Sequence, residues 1–195
     1  MIRLVWMAAL VLAACATAPA VPQNQPAPVC DYFPLAVGDR WVYDGPARPD
    51  GSREPITIAI TGKKDGFFEQ TGGQLISCDS EGLRDQKRLL LQGPIERGHT
   101  WKSVVSVGSV EQYEIVDVDG TVTVPAGTFG NTVTTRAKQR IDAQRTLINE
   151  TTYAPGTGMI RIATVLQEGD REIPQIEIVL RKFTPAAPDE SGKAK

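Results

Sequence analysis

The chain has 195 residues, with 21 basic against 23 acidic side chains and one histidine, for a formal net charge of −2. That balance gives no basic field for nucleic acid, and a single histidine excludes a multi-histidine zinc centre or a paired-histidine acid–base site. Hydrophobic and charged fractions of 41% and 23% are those of an ordinary globular protein.

The chain begins with one positive charge, Arg3, followed by the apolar run Leu4–Ala14. This is the charge and length pattern of a secretory signal. The run is about half of the roughly 20 residues a membrane-spanning helix needs. It closes on Leu12-Ala13-Ala14-Cys15. These four residues resemble the lipobox of bacterial lipoproteins, a leucine, two small residues and a cysteine. The resemblance implies cleavage after residue 14, a diacylglyceryl group on the Cys15 thiol and acylation of the new amino terminus. A thiolate is the nucleophile such chemistry needs. Several acyl chains, at about 0.8 kcal/mol per buried CH₂, anchor stably where one does not. By the same resemblance, Ala16 in place of an aspartate implies the outer membrane. The competing reading is an ordinary signal cleaved near Ala16-Thr17-Ala18, with Cys15 incidental.

Setting residues 1–14 aside removes one cation and leaves 181 residues carrying 20 basic and 23 acidic groups. Residues 15–30 hold the lipidated cysteine and a tether rich in Pro, Ala and Gln, with no charge among residues 16–29. Such a segment is extended and reaches on the order of 40 Å at about 3.1 Å per residue. With Cys15 acylated, Cys30 and Cys78 remain as an even pair. They form either a disulfide or two free thiols, and an exported chain permits the disulfide. A loop of about 48 residues would contribute on the order of 4 kcal/mol in the chain-entropy view.

Residues 31–184 read as one β-rich domain. Arg40–Tyr43 follows a Gly38-Asp39 turn. Ile56, Ile58 and Ile60 alternate with Thr57, Ala59 and Thr61, the period of a half-buried strand. Phe67-Phe68 and Leu75-Ile76 flank a Gly72-Gly73 hairpin signal. Residues 87–92 are a short apolar run, strand or helix end. Strands are predicted over Trp101–Val107 and Val110–Val118, joined at Gly108-Ser109. A turn at Asp119-Gly120 then leads into Thr121–Val124. Three more strands are predicted over Thr132–Ile141, Leu147–Tyr153 and Met159–Leu166. The last, Ile173–Phe183, places Ile176, Ile178 and Leu180 on one face. Residues 136–144 can be written as a helix, but the flanking Val and Thr favour strand. Residues 185–195 read as a polar, disordered tail. The expected fold is mainly β, with little helix. It is a single antiparallel sheet of about eight to eleven strands, strongly curved or closed into an open half-barrel.

Three pieces carry a second resemblance: Tyr32-Phe33-Pro34-Leu35 with Gly38, Trp41 and Tyr43; Val122–Phe129; and Tyr153–Ile160. In that order they resemble a family of secreted bacterial β-rich domains, often lipoproteins, with no established activity. The resemblance implies a fold similar to the half-barrel of lipoprotein carriers. The residues themselves argue structure. Pro125 ends a strand, and Pro155-Gly156 suits the centre of a type II turn.

The candidate chemistry is thin. Ser77, Ser80 and Ser103 lack a nucleophile-elbow context. Asp117–Gly120 begins like a calcium loop, but Thr128 stands where the bidentate glutamate belongs. Asp79, Glu81 and Asp85 read as a solvated loop. His99 reads as an exposed or locally bonded side chain. No catalytic residue, metal site or cofactor is predicted. The expected function is that of a membrane-anchored, non-enzymatic envelope lipoprotein that binds a protein or envelope component. The alternative is a carrier or sensor of an apolar ligand on the concave face, lined by Trp41, Tyr43, Phe67, Phe68 and Trp101. On either reading the partners are the membrane, through the N-terminal lipid, and an envelope protein or apolar ligand.

Overall fold

The computed structural model describes residues 27–187. Cys15, the expected cleavage site, most of the expected tether and residues 188–195 lie outside the described residues. Twelve strands form one antiparallel sheet. They are β1 (Arg40–Ala47), β2 (Arg53–Lys64), β3 (Phe67–Gln70), β4 (Leu75–Asp79), β5 (Gly82–Asp85) and β6 (Leu89–Leu91). The second half of the chain gives β7 (Thr100–Ser106), β8 (Ser109–Val124), β9 (Gly127–Arg140), β10 (Arg145–Ala154), β11 (Gly158–Glu168) and β12 (Arg171–Thr184).

The strand order is β6-β5-β4-β3-β2-β1-β12-β11-β10-β9-β8-β7. Each half of the chain is therefore a meander, and the first and last strands join the halves, with Arg40 opposite Thr184 and Trp41 opposite Phe183. The sheet curls into a nearly closed barrel, and its break falls mid-chain, between β6 and β7. The long strands β8–β12 run 10 to 16 residues, whereas β3–β6 run 3 to 5. One end of the barrel is thus walled all round, and at the other end the long strands stand alone.

The walled end is capped by a 3-10 turn, Val29–Tyr32. Tyr32 and Phe33 are buried there. The Gly156 N–H donates to the Asp31 carbonyl at 2.7 Å. Cys30 and Cys78 are bonded, which ties the cap to β4. Ala27 and Val29 pack on the core, so the packed chain extends N-terminally of Asp31. At the other terminus the Ala186 N–H donates to the Asp39 carboxylate at 2.8 Å.

Two local expectations are corrected. Asp119-Gly120 is not a turn between strands. It is an irregularity inside the continuous strand β8, where the register against β9 slips between Ile115 and Val122. Asp119 takes a left-handed φ of 56°. Gly120 has no room for a side chain, because a Cβ there would lie 2.7 Å from the Asp117 carboxylate. The hairpin turn comes later, at Pro125-Ala126. The Asp79–Asp85 segment is not a loop either. It is the β4–β5 hairpin, whose Arg84 bridges Asp79 at 2.5 Å and Glu81 at 3.1 Å. Gly82 starts β5 because a Cβ would sit 2.3 Å from the Leu91 carbonyl.

Candidate binding surface

The inner face of the walled end is filled. Trp41 is fully buried and stacks between Phe33 and Phe183, with ring centroids 5.2 Å away on each side. Its Nε1–H donates to the Thr157 carbonyl at 2.6 Å. The Tyr43 hydroxyl donates to the Met159 carbonyl at 3.0 Å. Trp101 stacks on Tyr113 at 5.3 Å and donates to the Leu89 carbonyl at 2.6 Å. A buried aromatic whose polar atom is already paired is packing, not an open ligand wall. Phe67 and Phe68, being adjacent on a strand, point to opposite faces. Phe68 packs against the core with the Lys63 ammonium 4.5 Å from its ring. Phe67 lies with the Arg84 guanidinium 6.0 Å from its ring. The structure therefore joins Trp41, Tyr43 and Trp101 in one buried core, packs Phe68 against it and turns Phe67 to the opposite face. The inward four are core packing, and Phe67 is not on their face.

The break in the sheet is latched by side chains. Besides the Trp101 bond, the Leu89 N–H donates to Ser103 Oγ at 2.9 Å. Arg88, in the β5–β6 turn, places Nε 3.1 and 3.0 Å from the two carboxylate oxygens of Glu111. The Tyr113 hydroxyl donates to the same carboxylate at 2.6 Å. Glu111 is only 4% exposed. Burial alone would lower the Arg88 pKa, but the hydrogen bond and charge of Glu111 outweigh it and hold the guanidinium above its ordinary value. Burial, then the bond to Glu111, pushes the Tyr113 phenol up. Sequence reasoning missed Glu111, although the signal was present. It shares the inward face of Tyr113 and Ile115, and a carboxylate on a core face requires a cation.

The open face lies elsewhere, on the inner side of β10–β12. Strand register sets out three rows across the sheet. Ser103, Glu111, Gln139, Leu147, Leu166 and Ile173 stand opposite one another in turn. The next row runs Tyr113, Ala137, Asn149, Thr164, Ile176. The third runs Ile115, Thr135, Thr151, Ile162, Ile178. Each row starts in the covered region beside β7 or β8 and ends on an isoleucine at β12; at β11 the first and third rows carry Leu166 and Ile162, and the second carries Thr164, which donates to Asn149 at 2.8 Å. There the short strands no longer cover the sheet. Ile176 is 43% exposed, and Ile56, on β2 across from Tyr43, is 36% exposed. Leu147, Ile162, Leu166, Ile173 and Ile178 are half-buried. The outer face of the same strands is charged, with Arg161 bound to Glu177 at 3.0 Å and Arg136 to Glu150 at 2.8 Å.

A smaller cavity of about 270 Å³ lies at the rim of the short strands, lined by Gln70, Asp85, Arg88, Leu90 and Met159 among others. The Asp85 carboxylate is spent on the Lys87 and Arg88 N–H groups, both at 2.7 Å. His99 is half-buried with its ring tilted against Trp101 at 5.6 Å. Among the described residues, no three His, Cys, Asp or Glu side chains group to hold a metal ion. No described helix is long and apolar enough to cross a membrane.

No family model and no curated protein matches the chain. Two solved structures are similar in outline. One is a Bacteroides fragilis protein described as exported and as having a YmcC-like fold, 14% identical, with a TM-score of 0.45 over 78% of this chain and 98% of that one. The other is a Parabacteroides distasonis protein described as a lipoprotein, 13% identical, with a TM-score of 0.41 over the same shares. Likeness at this distance carries no functional argument.

Proposed function

We propose that this protein is a lipid-anchored, non-enzymatic component of a bacterial envelope, held in the outer membrane and facing the periplasm, that acts by binding another envelope component. The lipobox at Leu12–Cys15 supports the anchor, and the Cys30–Cys78 bond suits an oxidising compartment. The observation that carries the binding reading is the aliphatic strip Leu147, Ile162, Leu166, Ile173, Ile176 and Ile178. It continues the inner face of the sheet beyond the part that the short strands cover. Partly exposed aliphatic side chains gathered on one face of a folded domain, broken only by the Asn149–Thr164 pair, mark an interaction site. Surface binding is favoured over carriage inside the sheet because the inner aromatics fill the walled end and pair with backbone carbonyls.

The carrier reading keeps one specific support: the strip is concave and apolar, and an acyl chain could lie along it. Mass spectrometry on the full lipidated protein extracted from its own envelope separates the two. Surface binding of a macromolecular component predicts a native mass equal to the acylated chain once the partner is washed away. A discrete apolar mass that survives native ionisation and is lost on denaturation would overturn that reading in favour of carriage.

A further inference from the structure

We propose that the open end of the barrel rests on a lipid bilayer through the β7–β8 hairpin. Of the large apolar side chains left exposed among the described residues, all but Val37 and Ile56 lie at this end or on the strip leading to it. Val104 and Val110 stand directly opposite each other across the hairpin. Both point outward, because Trp101, Ser103, Glu111 and Tyr113 at the alternate positions are buried. Val104 is 71% exposed, and Val107, at the turn, is wholly exposed. Ile141, in the turn between β9 and β10, is half exposed at the same end.

Two residues back on the same outer face, Lys102, Gln112 and Lys138 form a cross-strand row. Arg140, level with Val110 on β9, donates to the Asp142 carbonyl at 2.9 Å. Of the nearby carboxylates, Glu111 turns inward to Arg88 and Asp142 accepts from Arg145 at 2.7 Å, while Glu114 stands on the outer face one step farther from the tip than the lysine row. An apolar tip with Lys102 and Lys138 about 7 Å behind it, and the carboxylate beyond them, matches the depth order of an interfacial anchor. Aliphatic side chains enter the acyl boundary, and long cationic side chains snorkel to the headgroups. A protein partner fits less well. The tip offers only small branched aliphatics, and energetic anchors of protein interfaces are enriched in Trp, Tyr and Arg and poor in Val.

On the reading that Cys15 is acylated, residues 16–26 separate the anchor from Ala27, which packs on the core; fully extended they span at most about 40 Å. A 16-residue strand tilted as in a barrel rises about 40 Å. The end of the domain far from the tether therefore meets the bilayer that holds the anchor only with the tether fully drawn out along the barrel.

The test uses the full lipidated chain carrying Val107→Cys, whose thiol is then the only free one, labelled with bimane and reconstituted into vesicles of phosphatidylethanolamine and phosphatidylglycerol. The same label at Lys64→Cys, on the walled end, is the control. Docking predicts a blue-shifted emission at position 107, quenched several-fold more by brominated acyl chains than the label at 64. It also predicts that K102E/K138E reduces that quenching, with tryptophan emission unchanged to show an intact fold. Equal, water-like emission from both sites would overturn the proposal while leaving the binding strip of β10–β12 untouched. Failure of the chain to float with the vesicles would also overturn it.

Discussion

Arg88 and Glu111 meet across the break in the barrel, one from the turn between β5 and β6 and the other from the inner face of β8, with both carboxylate oxygens within 3.1 Å of the guanidinium Nε. Their surroundings are unequal. The Glu111 side chain is 6% exposed and that of Arg88 36%. Arg88→Ala strands a buried carboxylate with only the Tyr113 hydroxyl, and should cost on the order of 3 kcal/mol. Glu111→Gln leaves a guanidinium that can turn to water and a side chain that still accepts from Tyr113, and should cost about 1 kcal/mol. Urea unfolding of both variants and the double variant checks the asymmetry. Equal costs would mean that the pair does not latch the seam.

The chain's four tyrosines, Tyr32, Tyr43, Tyr113 and Tyr153, all have phenol pKa values raised above the ordinary 10.0, with burial the first cause in each. Each folded pKa exceeds its unfolded value, so the stability these groups contribute is fully present below pH 10. It is lost as pH rises through the folded pKa values, at up to about 1.4 kcal/mol per pH unit for each group. Ultraviolet titration should show Tyr43, Tyr113 and Tyr153 resisting ionisation well above pH 10 while circular dichroism remains native. It should then show cooperative ionisation together with unfolding.

The Cys30–Cys78 bond closes a separation of 48 residues. Loop entropy assigns it on the order of 4 kcal/mol. Cys30→Ser with Cys78→Ser should lower the urea midpoint accordingly and loosen the cap first. Hydrogen exchange at Tyr32 and Phe33 should rise before exchange at β9 and β10 does.

In a chain cleaved after residue 14, as proposed, the tryptophans are Trp41 and Trp101, both buried. Native emission should be blue and resist acrylamide, and should shift red on unfolding. Trp41→Ala should cost about 3–5 kcal/mol, as large-to-small changes in cores do. Trp101→Phe removes only the bond to Leu89 and should cost about 1 kcal/mol.

Most of the strands were legible because alternation and turn chemistry are local. Ile56, Ile58 and Ile60 announce β2, and Gly72-Gly73 and Gly108-Ser109 announce their hairpins. Strand β5 was not, since Gly82–Asp85 is too short and polar to alternate visibly. It exists because Arg84 neutralises Asp79 and Glu81 across the hairpin. Nor could Asp119-Gly120 be told from a turn, because a left-handed aspartate followed by a glycine serves a bulge equally well. The pairing of β1 with β12 joins residues 144 apart, Arg40 and Thr184, and no local pattern encodes it. The same limit hid the open strip. Ile176 and Leu180 alternate identically in sequence, yet Leu180 is covered and Ile176 is not. The expected ligand face at Trp41, Tyr43 and Trp101 had the correct inward direction, but the cap and short strands that fill it come from distant segments.

Binding through the inner strip of β10–β12 is tested most directly by a photoreactive residue placed at Ile176 in living cells, with the same residue at Glu172 as control. Binding through the strip predicts one discrete adduct from position 176, abolished by Leu166→Lys and absent from position 172. No adduct at 176, or the same pattern from both positions, would contradict the account.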